Sequence, residues 1–271
     1  WDYRYAWIRD ASLTVEALHI GACSDEAEDF ISFMTSAAGG RVMGDAPLQI
    51  MFGIGGEHDL SERTLPHLRG WRDSAPVRVG NGAWTQEQLD VYGELLDCLH
   101  LSRDRLGMLH PEIQRFAADL ADVAARRWRE RDAGMWEMRG EPQHHLSSKV
   151  LCWVALDRAV ALAPRLGEHA RAGAWAAERD RIRRAVLGRG WSARRGAFAQ
   201  AFDSDELDAA ALLMPILGFI PATDPRMRAT IEAIARDLTE DGLVLRYRNR
   251  EGLNADGLTG EEGTFVICYF G

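Results

Sequence analysis

Apolar positions recur at helical spacing over most of the chain, and the breaks between those runs are as telling as the runs. Ala11 to Ile20 (ASLTVEALHI) carries a one-sided apolar stripe, with Asp10 or Ser12 as candidate N-cap and Gly21 as the stop. A second run opens at Ser24-Asp25-Glu26-Ala27, acidic in its first turn, and closes at Ala38-Gly39-Gly40. The 3.6 period returns over Trp84–Leu101, Pro111–Trp128, Ser148–Ala163, Glu168–Leu187, Asp205–Leu217 and Pro225–Asp237. A further run starts at Gly263, after a Gly-rich loop over Asp241–Glu262. Residues 190–200, punctuated by Gly and aromatics, predict a turn or short hairpin. Residues 41–80 lack the helical period and hold Gly, Pro and short β-type runs such as Leu48–Phe52. A connection of that length is usually functional or separately folded.

The predicted helices come in pairs, with short and long connections alternating. No strand–helix alternation supports a parallel sheet. Paired helices in series build either a solenoid or a closed toroid, and the lack of a fixed-period repeat argues against a regular solenoid. The expected fold class is therefore all-α, a helical scaffold whose long connections gather at one end around a pocket.

Composition narrows the partners. A chain of 271 residues suggests one large domain or two small ones, and 46% hydrophobic with 27% charged residues is an ordinary globular balance. The net charge of -9, with no basic stripe to neutralise phosphates, excludes nucleic acid as the expected partner. Lys149 is the sole lysine and every other cation is Arg, a pattern that reads as compositional bias. Cys23, Cys98, Cys152 and Cys268 show no metal-ligand spacing and read as buried free thiols of a reducing compartment, hence cytoplasmic. No apolar run is long enough to span a bilayer, so no membrane partner is expected. The chain starts at Trp1 and stops at Phe270-Gly271 inside an apolar run, and so reads as a piece of a longer protein.

The densest chemistry lies in Gly134–Lys149 (GMWEMRGEPQHHLSSK). Asp132-Ala133-Gly134 breaks a preceding helix, which puts Glu137 on a short connection between an indole (Trp136) and an Arg (Arg139). Apolar cover disfavours an ionised carboxyl, whereas a neighbouring guanidinium favours it. A carboxyl that keeps its proton near neutrality suits general-acid catalysis. The plainer reading pairs Glu137 with Arg139 at the surface while Trp136 fills the core. His144-His145 lacks a carboxylate or further His at ligand spacing, so no metal is expected there. Asp203, Asp205 and Asp208 lack the central Gly and terminal Glu of a calcium loop and read as helix-capping residues.

Six segments, taken in order, resemble the catalytic domain of glycoside hydrolase family 15, the glucoamylases, glucodextranases and a bacterial trehalase branch. They are WDYRYAWIRDASLTVEAL, LQIMFGIGGEHDLSER, PVRVGNGAWTQEQLDVYGELLDCL, GMWEMRGEPQHHLSSKVLCWVALDRA, LDAAALLMPILGF and GLVLRYRNREGLNADGLTGEEGTF. The wording of WEMRG, SSKVLCWVALDRA and RYR…GEEGTF is most similar to the trehalase-like branch. The resemblance implies an (α/α)6 toroid, of which residues 1–271 supply about nine of twelve helices, without the usual N-terminal β-sandwich. It implies an inverting, exo-acting hydrolase releasing glucose from trehalose or short α-glucans, without cofactor. Glu137 matches the general acid and Trp136 the indole beside it. Arg9 and Asp10 match the pair that binds the terminal glucose, with Trp7 in the same wall. Trp84, Gln88 and Asp90 match an element lining the next subsite, and Arg246 matches a sugar-binding arginine. Aromatic faces and planar Arg–carboxylate pairs suit sugars, which have apolar CH faces and hydroxyl rims. A helix-capping ion pair remains open for Arg9–Asp10, and a core role for Trp7 and Trp84.

The sequence departs from the family pattern at Gly55, Trp71, Gln143, His145 and Ser147, which bears on the leaving-group preference. The water-activating Glu is expected beyond Gly271, since Glu261 and Glu262 match a loop element instead. Two other readings stand beside hydrolysis: a phosphorylase on a similar barrel, in which phosphate replaces water, and a non-catalytic sugar-binding domain.

Overall fold

The computed structural model describes residues 2–21, 25–43, 47–104, 109–138 and 140–248. Helices dominate: α1 (Ile8–Ile20), α2 (Asp25–Met43), α3 (Val91–Ser102), α4 (Pro111–Arg127), α5 (Leu146–Leu166), α6 (His169–Arg189), the single turn α7 (Leu213–Ile216) and α8 (Pro225–Asp237). Four antiparallel two-stranded sheets punctuate the connections. They pair β1 (Ala6–Trp7) with β2 (Met51–Phe52), β3 (Arg63–Thr64) with β4 (Arg78–Val79), β5 (Trp191–Ser192) with β6 (Ala197–Phe198), and β7 (Thr239–Glu240) with β8 (Leu243–Val244).

The first six helices form two layers. α1 packs on α3 and α3 on α5, while α2 packs on α4 and α4 on α6. Each odd-numbered helix also packs on the even-numbered one that follows it. Side-chain patterns explain the assignment. α5 buries every residue from Ser148 to Leu156, the all-round burial of an inner helix. α4 instead buries Phe116, Ala117, Leu120, Ala121 and Ala124 on one face and keeps its charges on the other. Where α3 meets α5, a Cβ on Gly93 would lie 2.3 Å from the Leu151 carbonyl oxygen, so only glycine allows the two inner helices this close. Cys98 and Cys152 are buried free thiols, and burial pushes both up to about 12. Cys23, Cys268, Glu261, Glu262 and the run from Gly263 lie outside the described residues, as does Arg139. No helix among the described residues is long and apolar enough to cross a membrane.

The hairpin at 190–200 and the helix at Pro225–Asp237 match their predictions. Four boundaries differ. α1 begins at Ile8, so Asp10 sits in its first turn and Ser12 inside it, buried, and neither is the cap. α2 runs through Gly39-Gly40 to Met43, because glycine weakens a helix without forbidding it and Ala38 just before packs into the core. The predicted 84–101 helix splits into a 3-10 turn (Gly82–Thr85), capped by Asn81 on the Ala83 amide at 3.0 Å, and α3. The predicted 205–217 helix shrinks to a 3-10 turn (Ala209–Leu212) and α7. There the Gln200 amide donates to the Glu206 carbonyl and the Ala209 amide to that of Arg246, which ties the backbone across rather than along.

Candidate active site

Glu137 sits on the connection between α4 and α5, and its backbone explains its exposure. The segment is pinned at its base by a two-way bridge between Asp132 and Gln143, with amide–carbonyl distances of 2.9 and 3.0 Å. Gly134 turns left-handed at φ 73°, where a Cβ would meet the His145 ring at 2.8 Å. The Glu137 amide donates to the Gly134 carbonyl at 3.2 Å, and Glu137 itself adopts φ 57°. A non-glycine residue in this region is sparsely populated and persists only where surroundings over-determine it. Here they do. The Arg9 guanidinium donates to the Met135 carbonyl at 2.6 Å, and Gln86 Nε2 donates to the Glu137 carbonyl at 3.2 Å.

The carboxylate is held from one side. Trp7 Nε1 donates to Glu137 Oε1 at 2.8 Å, and Arg9 Nη2 lies 3.6 Å from the same oxygen. Among the described residues, Oε2 accepts no hydrogen bond. Trp7 is placed by the β1–β2 pairing, and its ring stands 5.5 Å from that of Tyr3 and 6.1 Å from that of Tyr5. Asp2 anchors this aromatic wall by accepting from the Arg4 guanidinium, the Tyr5 hydroxyl and the Gly80 amide. The Arg4 contact holds the Asp2 carboxyl well below its ordinary range. Burial alone would lower the Arg9 guanidinium, yet Asp90, Asp10 and Glu137 around it raise it, so it stays a cation.

These groups line an open cavity of about 760 Å³, with Trp7, Arg9, Asp10, Trp136, Glu137 and Arg246 in its wall. The size fits a small ligand. Trp136 is half-buried, and its Nε1 donates to Asp208 at 2.9 and 3.1 Å. Arg246 stands over the Trp136 ring at 5.5 Å. Asp10 is exposed, 3.4 Å from a largely buried Arg9, so the pair is not a buried cap. The other three predicted residues stand behind the wall. Trp84 is half-buried against the core, Gln88 is 3% exposed and Asp90 0%. Gln88 Nε2 donates to Gln86 Oε1 at 3.2 Å, and Asp90 lies 3.9 Å from Arg9. Burial pushes the Asp90 carboxyl up to about 6, against the pull of Arg9.

Sequence reasoning missed Gln86, Asp132 and the second job of Asp208. Asp208 caps the Ala210 amide at 2.8 Å, as expected of a capping residue, and also orients Trp136. Gln86 lies two residues before Gln88 in the segment Trp84–Asp90, but nothing marks one glutamine over the other without the fold. Asp132 read only as a helix breaker.

The family model described as "Glycosyl hydrolases family 15" matches residues 2–271. A trehalase of Mycolicibacterium smegmatis is 47% identical over 270 residues, all of this chain but 40% of that protein. A trehalase of Thermoplasma volcanium is 35% identical over 271 residues, all of this chain and 42% of that protein. The chain thus spans about 40% of the M. smegmatis relative's length. Among solved structures, a glycosidase variant in complex with glucose superposes with a TM-score of 0.70 at 22% identity, covering 90% of this chain and 64% of that one. A bacterial glucoamylase complexed with acarbose gives 0.69 at 13% identity, covering 97% of this chain and 38% of that one. With the two-layered helical scaffold and a carboxylate-bearing cavity already in place, these matches make the chain a member of glycosyl hydrolase family 15.

Proposed function

We propose that this chain carries the acid-bearing part of an inverting, exo-acting α-glucosidase, with Glu137 as the general acid. The observation that carries the reading is the asymmetric hold on Glu137: Oε1 is fixed by Trp7 and Arg9, while Oε2 is uncommitted among the described residues. One oxygen anchored and one left to bear the proton is the arrangement that delivers a proton to a glycosidic oxygen. Arg9 and Asp10 would bind hydroxyls of the terminal glucose, Trp7 and Trp136 would cover its apolar faces, and Arg246 would add a donor from beside Trp136. Trp84, Gln88 and Asp90 would act from behind, Gln88 through Gln86 and Asp90 through Arg9. Inversion adds a carboxylate across the sugar ring that activates water. None of the described residues is assigned that role. The two helical layers would continue into an (α/α)6 toroid in the complete protein. No step assigned to these residues calls for a cofactor.

Trehalose is the favoured substrate, because the 47% identical relative is named a trehalase, with short α-glucans next. The test uses the full-length protein with trehalose and maltotriose in separate incubations, following the released anomer by proton NMR. The expected result is fresh β-glucose from trehalose, with kcat lowered about 10²- to 10⁴-fold in Glu137→Gln. Fresh α-glucose without β-glucose would overturn inversion, because an inverting cut of trehalose gives one β-glucose and one α-glucose from the leaving half. Glucose 1-phosphate formed only when phosphate is added would move the reading to a phosphorylase, and binding of both sugars without turnover to a sugar-binding domain.

A further inference from the structure

The lone lysine of the chain lies directly beneath the turn that carries Glu137. Every other member of its 32 Lys and Arg residues is Arg, so Arg is the default cation and Lys149 marks a place where the fork of a guanidinium is not used. Lys149 is 0% exposed, in the first turn of α5. Its Nζ donates to the Glu130 carbonyl and lies 3.8 Å from Asp132 Oδ1. Burial lowers the Lys149 ammonium and Asp132 opposes that shift.

Asp132 is the junction. Its Oδ2 accepts from the Leu89 amide at 3.2 Å, the Gly134 amide at 3.3 Å and the Ser148 hydroxyl at 2.6 Å, which joins the segment before α3, the turn and α5. Its Oδ1 is buried and, among the described residues, accepts no hydrogen bond. A carboxylate with 1% exposure needs a countercharge, or it neutralises and loses its strength as an acceptor. Lys149 is that countercharge. The acceptor it sustains holds the Gly134 amide, at the residue whose left-handed backbone starts the turn to Glu137.

We propose that Lys149 and Ser148, acting through Asp132, are positioning residues for the carboxyl of Glu137. The inference rests on the reading of Glu137 as the acid. It requires that loss of the brace displaces the acid while the part of the cavity wall on β1 and α1, with Trp7, Arg9 and Asp10, stays in place. A misplacement on the order of 1 Å costs about 10²-fold in rate.

The experiment measures kcat, KM and thermal midpoint of the full-length protein carrying Lys149→Met, with Ser148→Ala as the milder variant that carries the test should the first not fold. Each is repeated on a Glu137→Gln background. The expected outcome is a kcat about ten- to a hundred-fold lower with KM within about two-fold, and no further loss on the Glu137→Gln background. A folded variant with the wild-type kcat, or the same fold-loss on both backgrounds, overturns the proposal. Should Glu137→Gln alone keep the wild-type kcat, the acid assignment fails first, and that outcome is read from the control without reference to Lys149.

Discussion

At φ 57°, Glu137 holds a conformation that costs an L-residue about 1–2 kcal/mol. The neighbouring structure must supply that energy, and Gly134 is where the supply is most exposed to mutation. Gly134→Ala adds a Cβ 2.8 Å from the His145 ring at a φ of 73°. The left-handed penalty and the overpacking together predict a loss of about 2–4 kcal/mol. Urea denaturation should show a lower midpoint with an unchanged slope. The turnover rate should fall further than the folded fraction does, because the shift lands on the turn beneath Glu137. A second prediction concerns the partner of Trp136. Asp208→Ala removes the acceptor of the indole N–H and the Ala210 cap together, for a cost of roughly 2 kcal/mol and a weaker affinity for glucose by calorimetry. Glu137 and Trp136 were singled out through the resemblance of their segment to the family, the local pattern alone leaving a surface pair with Arg139 open, and the structure places both in the cavity wall. The strained backbone was not, since nothing in Met-Trp-Glu asks for a positive φ. Gln86 and Asp132 were hidden for a related reason: their partners lie 51 and 43 positions away, and only the fold brings them together.

Helices were read well wherever burial followed a clean period, and less well where backbone bonds run across elements. Asp224 caps the Arg226 amide at 2.9 Å with Pro225 at the first helical position, so α8 matched at both ends. Asp224→Ala should cost about 1 kcal/mol. The 205–217 segment has helical apolar spacing too, yet Asp208 bridges to Tyr247 and the Ala209 amide is bound by Arg246. Those cross-links fix Asp208 at the indole N–H of Trp136 and Arg246 over its ring, so the site takes the segment that local propensity would have made helical. The α3–α5 contact makes the sharper prediction. Gly93→Ala places a Cβ 2.3 Å from a backbone carbonyl that cannot rotate away, so the inner helices must part. A loss of about 3 kcal/mol or more is expected, with a lowered thermal midpoint. Both helices carry residues that brace the turn, Gln88 and Asp90 just before α3 and Lys149 within α5. Activity should therefore fall in the fraction that stays folded.

The two layers bury more carboxyls than cations near the cavity, and that sets how the whole molecule responds to pH. Asp90 is 0% exposed with neither oxygen hydrogen-bonded among the described residues, and burial raises it from 3.8 to about 6. Glu94, one turn along α3, is raised in the same direction for the same reason. A raised carboxyl keeps its proton in the folded state after the unfolded chain has released it. Its contribution is therefore complete below 3.8 and is lost as pH rises to about 6, by at most about 1.4 kcal/mol per pH unit. Other groups run the opposite way. Asp2 is held low by Arg4, so its stabilisation is present above the ordinary carboxylate range and lost on acidification. His100, His144 and His145 are lowered by burial and likewise cost stability as pH falls below 6.5. The wild-type curve is the sum of these, which is why a difference measurement is needed. Asp90→Asn removes one titration from the sum and keeps the volume. The stability of the variant relative to wild type should rise with pH from 3.8 to about 6 and then level, as read from urea midpoints across that window. A difference independent of pH would mean that Asp90 titrates as it does in the unfolded chain, its burial offset by Arg9 3.9 Å away. In that case the buried carboxylate is, above the ordinary carboxylate range, a fixed part of the field around Arg9 and Glu137, and the pH response belongs to Glu94 and the histidines.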